Sequence, residues 1–356
     1  MTASARLASL LASAWRRRGP LAWLLSPLAL LYAAVTGLRR RAYASGFFQS
    51  TRAAAPVVVI GNLYVGGTGK TPLTIELVRA LIQRGFKPGV VSRGYGGTGS
   101  GARLVTSADS AADVGDEPLL IAAATGVPVA VGALRARAAT LLLANHPSCD
   151  VVIADDGLQH LALRRDVEIA LIDERMLGNG WVLPAGPLRE PPGRLDKVDA
   201  IVLHGAAHSP VSGVPCFSMH TGLADHAYRL GDRSQSVALD ELVQRQQTTR
   251  ISITAAAGIG VPQRFFDMLS AAGLRIEPLP LPDHFDYRDN PFAGRHADLL
   301  LITEKDAVKC RRADTLRNDQ RIWVMPLQAR VDTKLVDLLV ARLNLLRKNP
   351  NGSPAA

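Results

Sequence analysis

The residues best equipped for chemistry lie between Gly66 and Thr71, where Gly66, Gly67, Thr68 and Gly69 run directly into Lys70 and Thr71. Glycines free the backbone to wrap a polyphosphate with its N–H groups, lysine brings a mobile ammonium, and the threonine hydroxyl suits Mg²⁺. The strict phosphate-loop pattern asks for a glycine where Tyr64 stands, but the context is otherwise complete. A valine-rich strand precedes the loop, and Pro72 suits the first turn of a following helix, where a missing N–H costs little. The loop is expected to bind ATP or GTP.

A second set of acids belongs with such a loop. Asp155 and Asp156 end the apolar run 151–154, and a carboxylate there can hold Mg²⁺ on the β- and γ-phosphates. Neighbouring side chains of an extended chain face opposite ways, so one acid can bind metal while the other positions a substrate group; their order is open. Asp116 and Glu117 precede Pro118, and Asp283 precedes His284 in a proline-bounded loop. An Asp bonded to a His can accept a proton from a sugar hydroxyl, although spacing alone does not bring these pairs together. Residues 94–99 match a dinucleotide fingerprint formally, but no helix follows. A flexible loop is expected there, in which Arg93 and Tyr95 meet substrate or phosphate.

The elements that must position these groups alternate. Apolar runs at 88–92, 127–131, 151–154, 167–172 and 200–203 predict buried strands, with a helix at 133–144. Continuous apolar strands between helices indicate a parallel α/β sheet covered on both faces, with ligands at the strands' carboxyl ends. The rhythm lapses over 210–226. A second, smaller α/β block follows, with strands expected at 251–256, 275–279, 299–303 and 322–325 and helices at 262–272 and 334–346. The expected divisions are a membrane anchor over 1–45, a phosphate-loop kinase domain over 46–225, a C-terminal α/β domain over 226–347 and a disordered tail over 348–356.

With 356 residues, 47% of them hydrophobic and 20% charged, the chain can bury two cores. Cys149, Cys216 and Cys310 have no pairing or metal spacing, which suits a reducing cytosol. A net charge of +10 calls for an anionic partner. Its placement selects lipid over nucleic acid, because Arg16–Arg18 and Arg39–Arg41 bracket the apolar stretch 21–38, which contains Pro27. About 18 apolar residues sit at the lower limit for a span, and basic clusters at both ends oppose one orientation. An anchor lying on or dipping into the cytoplasmic leaflet is expected, its arginines on phospholipid head groups.

Taken together, the segments GNLYVGGTGKTP (61–72), VVSRGYGG (90–97), VGDEP (114–118), ADDGLQH (154–160), LPAGPLREP (183–191), LPDHFDY (281–287) and TEKDAVK (303–309) resemble those of the tetraacyldisaccharide 4'-kinases, the lipid A 4'-kinases of Gram-negative bacteria. The family's loop is similar to GGTGKT, so Tyr64 is no departure from it. The resemblance implies transfer of the ATP γ-phosphate to the 4'-hydroxyl of an acylated disaccharide 1-phosphate, giving lipid IVA at the cytoplasmic face of the inner membrane. It implies ATP and Mg²⁺ as cofactors, the acylated lipid and anionic inner-membrane lipid as partners, and no nucleic acid or protein partner. Asp116 would be the general base, assisted by His284. Lys70 would neutralise developing charge, and Thr71 with Asp155 or Asp156 would set Mg²⁺. Arg93, Tyr95, Glu117, Arg137, Gln159, His160, Arg189 and Glu190 would be substrate contacts or their supports. The segment 303–309 is expected to end a strand and pack the second domain. The rival is a regulatory GTPase or partitioning-type ATPase, but Thr303-Glu304-Lys305-Asp306 misplaces the lysine of a guanine-reading Asn-Lys-x-Asp motif by one residue.

Overall fold

In the computed structural model, residues 15–95, 97, 101–206 and 208–348 are described. Residues 1–14 of the expected anchor, much of the glycine loop at 94–99, and 349–356 of the expected tail lie outside them, while Lys348 itself ends a helix.

Two sheets organise the chain. The first takes β1 (Val57–Gly61), β2 (Pro88–Ser92), β3 (Arg103–Leu104), β4 (Val129–Val131), β5 (Val151–Ala154), β6 (Val167–Asp173), β7 (Ala200–His204) and β8 (Cys216–Leu223). The second takes β9 (His226–Arg229), β10 (Asp232–Ala238), β11 (Ile253–Ala257), β12 (Glu277–Pro280), β13 (Leu299–Ile302) and β14 (Ile322–Val324). The next strand, β15 (Leu327–Val331), returns to the first sheet, whose nine strands run in the order β15-β8-β7-β6-β1-β5-β2-β4-β3. Neighbours from β8 to β4 are parallel, and antiparallel β15 and β3 close the edges. The chain runs from β1 past β5 to β2, and later from β5 back across β1 to β6 on the other side. This reversal opens a crevice at the carboxyl end of β1, the usual ligand position of such sheets.

β1 is buried at every residue because both faces are covered. One face carries the helix Lys70–Gln83, through Leu73, Leu77, Val78 and Leu81, and the helix Thr333–Lys348, through Leu335, Val336, Leu339 and Leu343. The other buries Leu142, Leu158, Leu188 and Leu195. The second sheet, in the order β10-β9-β14-β13-β11-β12, holds its own cores around Phe265 and Leu301 on one side and Phe292 and Leu300 on the other.

This path departs from the expected division at residue 225. Segment 327–348, assigned by its rhythm to the second unit, completes the first sheet, because β15 pairs with β8 and the last helix covers the phosphate-loop helix. The lapse at 210–226 also holds a strand. β8 reads exposed and half-buried along most of its length, so it lacks the apolar run that marks the central strands.

The N-terminal helix Pro20–Ala44 is continuous through Pro27, although proline removes one hydrogen bond there. Its most apolar window has a mean hydropathy of 1.8 and is only 11% buried. Ala29, Leu25, Tyr32 and Ala33 pack on the globule, whereas Trp23, Leu24, Leu28, Leu30, Leu31, Val35 and Leu38 are exposed, as is Phe47 just beyond. Polar contacts hold both ends: Trp15 Nε1 donates to Pro184 O at 3.0 Å, Arg18 Nε to Asn179 O at 3.0 Å, and Arg40 pairs with Glu190 at 3.2 Å.

Candidate active site

The loop between β1 and the helix Lys70–Gln83 is held from beneath. Gly69 caps that helix at φ 101, and a Cβ there would lie 2.8 Å from His204 Nδ1. The Thr68 carbonyl can only accept, so His204 Nδ1 donates to it at 2.9 Å and Nε2 accepts from the Thr221 hydroxyl at 3.0 Å. Burial lowers the His204 pKa, which favours this neutral tautomer. Tyr64, in place of the strict pattern's first glycine, carries the Arg175 guanidinium 4.3 Å from its ring centre, and Arg175 also donates to Gly67 O at 2.8 Å. Lys70 Nζ donates to Asn62 Oδ1 at 3.1 Å and lies 3.7 Å from Asp156.

At the end of β5 the two acids diverge, because Asp156 turns into left-handed backbone at φ 47. Asp155 accepts from the Thr74 hydroxyl at 2.8 Å through Oδ1, while its Oδ2 is buried with no hydrogen-bond partner. Burial, then the charges of Glu117 and Asp156, push its pKa up to about 7. Asp156 accepts from Arg189 at 2.9 and 3.0 Å; Lys70 and Arg189 hold its pKa down against burial. Arg189 also reaches Gln159 Oε1 at 3.4 Å, and Gln159 Nε2 donates to Asn62 O and Glu190 Oε1, both at 3.2 Å.

Across the cleft, Asp116 opens the helix Asp116–Thr125 and is buried. Gly115 stands at φ 89, where a Cβ would meet Tyr95 O at 2.7 Å, so only glycine lets the 94–95 loop pack there. Asp116 Oδ2 accepts from His284 Nδ1 at 2.9 Å, although the two are 168 residues apart. His284 occupies left-handed backbone at φ 59, a conformation that costs energy and points to a functional demand. The exposed Tyr95 ring lies 6.0 Å from the imidazole.

Segment 303–309 builds this site as well as packing its domain. Thr303 caps the helix Glu304–Cys310 by accepting from the Asp306 amide. Asp306, fully buried, accepts from the Gly258 amide at 3.2 Å and the Thr303 hydroxyl at 2.7 Å. It is therefore occupied as a brace and unavailable for reading guanine. Lys305 and Lys309 both place Nζ 3.8 Å from Asp116 Oδ2. Glu117 is half-buried in the cleft that Lys305 also lines, its pKa raised by desolvation against the charges of Lys305 and Lys70.

A third group gathers around His160. Arg135 starts the helix Arg135–Asn145, is 2% exposed and has an unpartnered Nε. Burial lowers its pKa to about 10, against the pull of Asp155 and Asp156. His160 is pushed down to about 4 by burial and then by Arg135, with Arg93 and Arg39 adding to the effect. Arg93 is thus brought to this group, whereas Arg137 is exposed on the helix surface and Arg135 faces the site instead. Asn62, Arg135, His204, Lys305 and Lys309 are the site residues that motif reading passed over. Asn62 and the lysines stand inside the quoted segments, so polarity at the carboxyl ends of β1 and β13 was the available signal.

The cleft between the two units has a volume of about 480 Å³ and runs from Gly67–Pro72 past Glu117 to Val261, Arg264, Phe265 and Lys305. Glu174 and Arg264 pair across it at 2.5 Å. Among the described residues no cluster of three or more His, Cys, Asp or Glu could cage a metal. The unpaired Asp155 Oδ2, on the acid that Thr74 bonds one turn along the helix begun by Lys70 and Thr71, instead fits a cation that takes its other ligands from the Thr71 hydroxyl, a nucleotide and water.

The chain is similar to known proteins over most of its length. The sequence profile described as Tetraacyldisaccharide-1-P 4'-kinase matches residues 21–344. A protein named Tetraacyldisaccharide 4'-kinase from Janthinobacterium sp. (strain Marseille) is 50% identical over 338 residues, covering 95% of this chain and 96% of that protein. One of the same name from Herminiimonas arsenicoxydans is 49% identical, over 92% of this chain and 94% of its own. The crystal structure of LpxK from Aquifex aeolicus in complex with ATP is similar with a TM-score of 0.74 and 28% identity, covering 91% of this chain and 99% of that one.

Proposed function

Because the chain belongs to the tetraacyldisaccharide-1-phosphate 4'-kinase family, and is accordingly an ATP-dependent lipid A 4'-kinase, we propose how its residues carry the γ-phosphate of ATP to the 4'-hydroxyl of the acylated disaccharide. The observation that carries this reading is the Asp116–His284 pair at 2.9 Å, joined through Lys305, 3.8 Å from Asp116, to the cleft that holds Lys70.

The backbone of Gly66–Gly69 receives the β- and γ-phosphates, and Lys70 neutralises the charge that develops as the γ-group leaves. Asp116 accepts the proton of the 4'-hydroxyl, and His284 holds the carboxylate in line and spreads the charge it gains or loses. Mg²⁺, where bound, would sit on Asp155 and Thr71 and supply charge neutralisation and orientation of the phosphates. Asp156 is committed to Lys70 and Arg189, which leaves Asp155 as the free acid. Arg93, Arg135 and Arg39, whose charges all act on His160, supply a cationic group suited to the phosphate already on the sugar. Gln159, Arg189 and Glu190 tie that group to Asn62 and Lys70.

The N-terminal helix lies on the cytoplasmic leaflet of the inner membrane. Its docked face and its exposed leucines support this reading over a span, since contacts from Trp15 to Arg40 hold it along the globule. A surface-bound enzyme takes its substrate without extracting acyl chains, which would cost about 0.8 kcal/mol per CH₂.

Incubation with γ-labelled ATP, Mg²⁺ and the disaccharide monophosphate in detergent micelles tests the reaction. Label in a bisphosphorylated lipid is expected; label in free phosphate alone would reject the transfer.

A further inference from the structure

Two lysines reach Asp116 from the second unit, and they are not equivalent. Lys309 Nζ is buried, makes no hydrogen bond, and sits 3.8 Å from both Asp116 and Asp306 and 5.6 Å from the Tyr287 ring centre. It is enclosed among carboxylates, and its charge compensates their burial. Lys305 is the more exposed of the two, at 18% against 5% for the side chain, and it lines the nucleotide cleft together with Gly67–Pro72 and Glu117. Its Nζ is parked 3.2 Å from Asp283 Oδ1, an acid that is itself 41% exposed.

The position of Glu117 fixes where Lys305 can act. This half-buried acid, next in sequence to Asp116, lines the same cleft as Lys70 from the phosphate loop and Lys305 from the second unit. The transferring phosphoryl must pass between Lys70, on the donor side, and Asp116, on the acceptor side. That path runs beside Glu117, and so between the two ammonium groups.

We propose that Lys305 is a catalytic residue of the phosphoryl transfer, delivered by the second unit to the γ-phosphate oxygens. The assignment rests on the kinase reading above. In the step itself a bond forms between the 4'-oxygen and the γ-phosphorus, and the bond from that phosphorus to the β,γ-bridging oxygen breaks. The electron pair leaves with ADP, and the hydroxyl proton goes to Asp116. Lys305 forms no covalent bond; it exchanges Asp283 for the non-bridging oxygens, where charge accumulates. Lys309 stays behind to compensate Asp116.

The test pairs Lys305→Met with Lys305→Arg in the full-length protein. Lys305→Met should lower kcat by about 10²- to 10³-fold. It should weaken binding of a non-hydrolysable ATP analogue roughly tenfold or more, with ADP affinity and melting temperature unchanged. Lys305→Arg, which keeps the charge, should restore part of both. A residue that only buttressed Asp116 would not separate ATP analogue from ADP. Equal loss for the two nucleotides, or an unchanged kcat in Lys305→Met, overturns the assignment. The nucleotide measurement needs no lipid, so it decides the role of Lys305 even where lipid labelling by the wild-type enzyme, the test of the underlying reaction, fails.

Discussion

A carboxylate buried as deeply as Asp116 has to be compensated, and two ammonium groups and an imidazole surround it. Substituting it with alanine removes the proposed proton acceptor but leaves the phosphate loop untouched. Asp116→Ala is expected to lower turnover by roughly 10²- to 10⁴-fold, with ATP affinity, measured by titration calorimetry, retained. His160 makes a separate prediction. Its pKa falls from 6.5 to about 4 on folding because burial and neighbouring arginines disfavour the charged ring. Between those values the unfolded chain binds more protons than the native one, so this residue's contribution makes stability decline as pH falls from 6.5 towards 4. His160→Gln should flatten that part of a plot of urea midpoint against pH; an unchanged slope would contradict the burial argument. At this scale the quoted segments contain the groups that the fold gathers, while the pairing of Asp116 with His284 came from the family resemblance. Nothing in spacing joins Asp116 to His284. Arg137, expected as a substrate contact, is exposed while Arg135 is buried, because helix phase decides which arginine faces inward.

Among the elements, the N-terminal helix divides its work by face. Leu24, Leu28 and Leu31 lie on the exposed side, so changing all three to serine should leave the melting temperature near that of the wild type. Each would forfeit about 1.5–3 kcal/mol of burial in a bilayer, and partitioning to anionic vesicles in a flotation assay should drop by at least a hundredfold. Retained flotation would assign membrane binding to another surface. The helix was legible from its basic brackets and apolar run, and the central strands from their valines. β8 was not, since a strand exposed along most of one side carries no hydrophobic signature. Segment 303–309 read only as a strand end because its function depends on a cap, Thr303, and two lysines that matter once the second unit folds against the helix Asp116–Thr125. Arg312 donating to Ser107 O at 3.0 Å, and Val308 packing on Val114 and Leu119, fasten that contact.

On the scale of the molecule, the chain builds most of one unit, then the other, and comes back to finish the first. β15 and the helix Thr333–Lys348 bury Ala329, Leu335, Val336, Leu339 and Leu343 against the phosphate-loop side of the first sheet. A fragment ending at residue 225 would leave that surface bare. Expressed alone, it should show no cooperative melting and no ATP binding, whereas a fragment model based on the rhythm of the sequence expects a folded domain. Calorimetry on the fragment distinguishes the two. The rhythm could not reveal this return, because a β-α unit reads alike whichever sheet receives it.

The same return sets a schedule for biosynthesis. Domains commonly fold in turn as they leave the ribosome, yet here the nucleotide-binding half stays unfinished until the last helix has been translated. Until then the basic, leucine-rich leading segment is already free to meet the bilayer. Attachment can therefore precede activity, so that the newborn enzyme first becomes able to spend ATP where its lipid already is.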